Sequence, residues 1–238
     1  MSATGTLTER LRARPPAVHA GKEYLGLAWP AIEWLEQNVR DGMTTLETGS
    51  GASTVVFAAA GATHTAISPD PGEHEAIRAW CAAEGISTEK VTFIADSSHT
   101  ALQNGWQPQE LDIVLIDGAH SFPFPVLDWF FTAPHLKPGA RVLVDDAYQP
   151  AVNVLARYLR KSDHWQLEEV LGHRTPAFRL VGDQALAFDW DDRALGHASF
   201  DYLPPGRRAV ARLRYSAFER GPLKPLVPAL GRLMGRRA

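Results

Sequence analysis

From residue 28 to residue 182 the chain alternates short apolar runs with amphipathic stretches. The runs TTLET (44–48), HTAIS (64–68), VTFIA (91–95), LDIVLI (111–116) and ARVLVD (140–145) are aliphatic or β-branched and read as strands. Residues 28–40 place Ile32, Leu35 and Val39 on one helical face. Residues 71–85 open on Pro and close on Gly, as helices do. Residues 53–60 (STVVFAAA) predict a helix that Ser53 or Thr54 can cap, with further helices at about 122–133 and 149–161. WQLEEVLG (165–172) and TPAFRLVG (175–182) predict a closing pair of strands. Nearly all-apolar strands separated by helices imply a sheet covered on both faces. The expected fold is α/β, a Rossmann-like sandwich around a mostly parallel seven-stranded sheet.

With 238 residues, 45% hydrophobic and 21% charged, the chain suits one α/β domain with appendages. It divides into an N-terminal helical segment (1–42), the α/β domain (43–185) and a C-terminal extension (186–238). A single cysteine, Cys81, excludes an internal disulfide framework and a Cys-based zinc site, which suggests a reducing, cytoplasmic compartment. No apolar run approaches the roughly 20 residues that span a bilayer. The net charge of −3 is uneven: nine of the 24 Lys/Arg but one of the 27 acids lie in residues 206–238, leaving residues 1–205 at −11. An acidic body argues against nucleic acid as its partner. The basic, apolar and Pro-interrupted tail can lie on an anionic membrane surface, or pack on the acidic body within the chain or across a homo-oligomer.

Candidate chemistry lies at the ends of the expected strands. The first strand runs into Glu47-Thr48-Gly49-Ser50-Gly51-Ala52-Ser53-Thr54. Its glycines allow a sharp turn and close approach to a ligand, and the next helix offers free N–H groups. A dinucleotide loop would carry a third glycine where Thr54 stands. Glu47 would repel a pyrophosphate but suits a ligand bearing an ammonium group, such as S-adenosylmethionine. The bland alternative is a tight turn without a ligand.

E-x-G-x-G after the first strand, Asp96-Ser97 after the third, Ile116-Asp117-Gly118-Ala119-His120 after the fourth and Val144-Asp145-Asp146 after the fifth together resemble class I S-adenosylmethionine-dependent methyltransferases. The pattern is most similar to the metal-dependent O-methyltransferases of the catechol, caffeoyl-CoA and macrocin types. The resemblance implies that Glu47, Gly49, Ser50 and Gly51 line the methionine portion with Ser53 nearby, and that Asp96 and Ser97 sit by the adenine. Where such enzymes carry a ribose-binding acid, this chain has Ala66. Asp70 can reach round to replace it, Ser68 can donate a weaker contact, or Asp70 merely caps the following helix.

Asp117, Asp145 and Asp146, at two strand ends, would repel one another unless a cation joins them. An all-oxygen set suits Mg²⁺ or a similar divalent cation, which would orient an acceptor hydroxyl; loop capping is the alternative. His120 lies three residues after Asp117, at the spacing where the resembled enzymes keep a Lys base, and it can take a hydroxyl proton near neutral pH. Trp29, Trp34, Phe122 and Phe124 are candidates to roof an apolar acceptor pocket. The expected activity is methylation of a small-molecule or sugar hydroxyl. The rival readings are an NAD(P)-dependent oxidoreductase and a non-catalytic nucleoside-binding protein.

Overall fold

The computed structural model describes residues 5–18, 26–186 and 199–214. Seven strands form one sheet: β1 (Thr44–Thr48), β2 (Thr63–Ile67), β3 (Val91–Ile94), β4 (Leu111–Ile116), β5 (Leu136–Val144), β6 (Trp165–Leu171) and β7 (Thr175–Leu180), in the order β3-β2-β1-β4-β5-β7-β6. β1 to β5 pair in parallel, while β7 runs antiparallel to both β5 and β6. The sheet is thus seven-stranded and mostly parallel. Because β1 pairs with both β2 and β4, connections leave it in opposite directions, opening a crevice at its C-terminal end.

Alternation along β4 explains the two layers. Ile113 and Leu115 join one buried cluster with Ile32 and Leu35 of α2 (Trp29–Asn38), Val55 and Phe57 of α3 (Ala52–Ala59) and Ile77 and Cys81 of α4 (Pro71–Ala83). Val114 and Ile116 join the other, with Ala101 and Leu102 just after the short α5 (Ser98–Thr100), Trp129 of α6 (Phe124–Thr132) and Leu155 and Leu159 of α7 (Pro150–Lys161). Successive strand residues point to opposite faces, so a wholly apolar strand needs a helical layer on each side. An N-terminal helix, α1 (Leu7–Ala13), docks where Glu36 accepts from Leu7 N (2.8 Å) and Thr8 Oγ1 (2.6 Å), filling its unpaired first turn.

The chain divides into two compact units, Met1–Leu195 and Gly196–Ala238. In the second, α8 (Pro205–Arg214) follows a turn in which Arg208 Nε donates to Leu203 O at 2.6 Å. Residues 215–238, most of the basic tail, lie outside the described residues. Among the described residues no helix is long and apolar enough to cross a membrane.

Candidate active site

β1 delivers Glu47 into the interior. It is 1% exposed, and its carboxylate accepts from Ser53 Oγ (2.6 Å), Thr54 Oγ1 and His64 Nε2 (3.1 Å). His64 stacks on Phe57 with ring centroids 4.2 Å apart and meets Thr45 Oγ1 at 2.8 Å. Ser53 therefore does not cap α3, whereas Thr54 Oγ1 accepts from Gly51 N at 2.9 Å while donating to Glu47. Gly51 occupies the cap position, and the hydroxyls turn inward to satisfy a buried carboxylate. Thr54, in place of a dinucleotide loop's third glycine, is thereby committed to Glu47.

The turn after β1 brings Gly49 to φ +97°, and its N–H donates to Ile67 O at 2.7 Å. A cavity of about 660 Å³ opens above this turn, at the C-terminal ends of β1, β2, β4 and β5. Gly49, Ser50, Ser68, Asp70, Ser97, Asp117, His120 and Asp146 all line it. A second cavity of about 340 Å³ shares Ser50, Asp117 and Arg174 with the first and adds Pro15, Leu27, Trp29 and Gly51.

Glu47 and Asp96 line neither cavity. Asp96 is exposed and accepts from Ser97 N at 2.7 Å within its own loop. Asp70 caps α4 through Gly72 N at 2.8 Å while still bordering the larger cavity. Ala66 is fully buried opposite Glu47 in the β1–β2 register. The acid that does reach this end of the cavity is Glu73, in the first turn of α4, accepting from Ser50 Oγ (3.0 Å) and Ser68 Oγ (2.6 Å). Of the aromatic candidates, Phe124 and Trp29 border the cavities. Trp34 is buried in the core, and Phe122 is 71% exposed.

Asp117 and His120 face each other across 3.7 Å (Oδ1 to Nε2), an ion-pair approach rather than a hydrogen bond. Burial pushes the Asp117 carboxyl up to about 7; His120 opposes this and the charge of Asp145 adds to it. The nearby Asp117 raises the His120 imidazole, burial opposes that, and Asp146 and Asp145 reinforce it. His120 Nδ1 meets Gln149 Nε2 at 2.9 Å and Asp146 Oδ2 at 3.4 Å, while Nε2 is buried without a hydrogen-bond partner. Gln149 Nε2 can only donate, so Nδ1 accepts from it and the neutral ring carries its proton on Nε2, facing Asp117.

The expected open metal site does not form. Asp145 is 1% exposed and takes bonds from Arg174 Nη2 (2.8 Å) and Thr175 Oγ1. Asp146, at φ 52°, pairs with Arg174 Nη1 (3.2 Å) and accepts from Gln149 Nε2 (3.0 Å). Leaving either acid buried and unpaired would cost several kcal/mol, on the order of 3–5 for one broken pair, so the guanidinium is their counter-ion. Among the described residues no group of three metal-type side chains is arranged to hold an ion. The Asp145, Asp146 and Asp117 set does not fit a divalent cation in this arrangement.

These features define the class: an open α/β sheet whose ligand crevice lies at the switch point beside β1. The chain superposes on the O-methyltransferase TomG of Streptomyces achromogenes, involved in tomaymycin synthesis and solved with S-adenosylmethionine (19% identity, TM-score 0.53, 66% of this chain and 80% of that one). It also superposes on a methyltransferase of Geobacter sulfurreducens (14%, 0.56, 74% and 87%) and a Corynebacterium glutamicum protein (15%, 0.57, 77% and 94%). At such identities the likeness is one of fold. No curated protein matches the chain in sequence. Residues 46–147, less than half of the chain, match the family model of a methyltransferase domain, and the class I S-adenosylmethionine-dependent methyltransferases are what the chain resembles.

Proposed function

We propose that the chain transfers a methyl group from S-adenosylmethionine to a hydroxyl oxygen of a small molecule or sugar, with His120 as the base. The observation that carries this reading is convergence: the Gly49 turn after β1, and Asp117 and His120 after β4, border one cavity. In it the methionine portion lies by Gly49, Ser50 and Asp117, whose carboxylate suits the ammonium and sulfonium charges. The ribose lies by Ser68 and Glu73, because a carboxylate can accept from both hydroxyls of a vicinal diol. Glu73 thus supplies from α4 the acid that Ala66 does not supply from β2. The adenine lies toward Ser97, Ser98 and His99.

Methyl transfer needs alignment more than covalent help, since the sulfonium methyl is already activated. The acceptor oxygen attacks the methyl carbon, the carbon–sulfur bond breaks with its electron pair remaining on sulfur, and the hydroxyl proton passes to the His120 imidazole. Burial strengthens each charge contact relative to water. A donor labelled in its methyl group, screened against phenols, sugars and other hydroxyl compounds, tests the reading. Label recovered on oxygen supports it; label only on nitrogen or carbon acceptors refutes the oxygen assignment.

A further inference from the structure

No motif in the sequence points to Arg174. It stands in the turn between β6 and β7, beside His173 at φ 67°. Because β7 lies against β5 with Leu143 opposite Ala177, extending that register by two residues brings Thr175 opposite Asp145. Ala147 N donates to Arg174 O at 2.9 Å, which ties the turn to the loop carrying both acids. The guanidinium spends its Nη2 hydrogens on Asp145 (2.8 Å) and Gly26 O (2.6 Å) and turns Nη1 toward Asp146 (3.2 Å). Its side chain is 22% exposed and borders both cavities.

We propose that Arg174 is a built-in cation: it fills the place between Asp145 and Asp146 that a divalent ion would take, and holds Asp146 where it orients His120. An arginine is charged at every working pH and its planar fork matches two carboxylates, so the acids need no metal to remain ionised side by side. Asp146 Oδ2 then accepts from Gln149 Nε2 at 3.0 Å, and the same amide donates to His120 Nδ1 at 2.9 Å, making Arg174 a positioning residue for the base through Gln149. The positioning role rests on the proposed methyl transfer; the charge replacement does not.

The test is a Mn²⁺ titration followed by electron paramagnetic resonance, on the full chain and on Arg174→Ala, with turnover measured beside it in excess chelator. The wild type should leave the free Mn²⁺ signal undiminished at millimolar ion and keep full turnover in chelator. Arg174→Ala should acquire a Mn²⁺ site that Asp145→Asn removes, and lose roughly 10²–10³-fold in kcat, with Arg174→Lys recovering part of it. Stoichiometric Mn²⁺ binding by the wild type, or chelator inhibition that Mg²⁺ reverses, overturns the proposal even if the alanine variant fails to fold. Failure of S-adenosylmethionine to bind would instead overturn the methyl-transfer reading and leave the Mn²⁺ result decisive for the charge replacement.

Discussion

A Cβ placed on Gly49 would lie 2.5 Å from the carbonyl oxygen of Asp117. The residue opening the glycine turn and the residue following β4 therefore touch through backbone alone, and no side chain fits between them. Asp117 N in turn donates to Thr48 O at 3.1 Å, extending the β1–β4 ladder into the site.

Gly49→Ala should accordingly lower stability by on the order of 1–3 kcal/mol, from the left-handed backbone alone, with the clash adding to it. Donor affinity should fall as the turn moves away from Asp117. Urea denaturation with calorimetric titration checks both. A variant of normal stability and affinity would mean that the turn is not held this way.

Glu47 is expected to act through the loop rather than by touching the donor. Glu47→Ala strands the hydroxyls of Ser53 and Thr54 and the His64 ring, each costing about 1–3 kcal/mol if left unsatisfied. Glu73→Gln should behave oppositely, weakening S-adenosylmethionine and S-adenosylhomocysteine by about 1.5–3 kcal/mol while the urea midpoint moves little. Equal donor affinity in wild type and Glu73→Gln would remove Glu73 from the ribose site.

The strands and the E-x-G-x-G turn were legible because a buried parallel sheet demands apolar runs and a sharp turn demands glycine. TTLET and LDIVLI became β1 and β4 with the same bounds. Glu73 and Arg174 were not legible. Glu73 reaches the cavity only because α4 begins at Pro71 and turns its third residue back over Ser68. Arg174 meets Asp145 only because β7 lies antiparallel against β5, a pairing that no local pattern encodes. The same long-range fact turned two of the three apparent metal ligands, Asp145 and Asp146, into an ion-pair network with Arg174. Asp96 matched a motif, and its Oδ1 accepts from Ser97 N within the same loop.

Stability should fall as pH rises through neutrality. The Asp117 carboxyl, raised to about 7 by burial, keeps its proton in the folded chain after the unfolded chain has lost it near pH 4. The folded state thus binds more protons across that window, and stability declines by up to about 1.4 kcal/mol per pH unit. The raised His120 acts in the same sense: its stabilising contribution is complete below about pH 6.5 and is lost as pH climbs through its folded value. Asp128, buried and raised to about 6, contributes only at the acid end. Asp117→Asn should flatten the slope between about pH 6 and 7. A slope unchanged in that variant would assign the titration elsewhere.

His120→Ala should reduce kcat by roughly 10²–10⁴-fold with donor affinity nearly intact, since its imidazole takes the acceptor proton. Gln149→Ala removes one Nδ1 neighbour but leaves Asp146, so its loss should be smaller. Near-normal kcat for His120→Ala across a pH series would pass the proton to Asp117 or to water.

The central claim is that the cavity between Gly49, Glu73, Asp117 and His120 holds S-adenosylmethionine as methyl donor. Calorimetric titration of the full chain with S-adenosylmethionine, and separately with NAD, tests it most directly. The account predicts one donor molecule per chain, competed by S-adenosylhomocysteine, weakened by Glu73→Gln and accompanied by no heat from NAD. Saturable NAD binding with none for S-adenosylmethionine would contradict it.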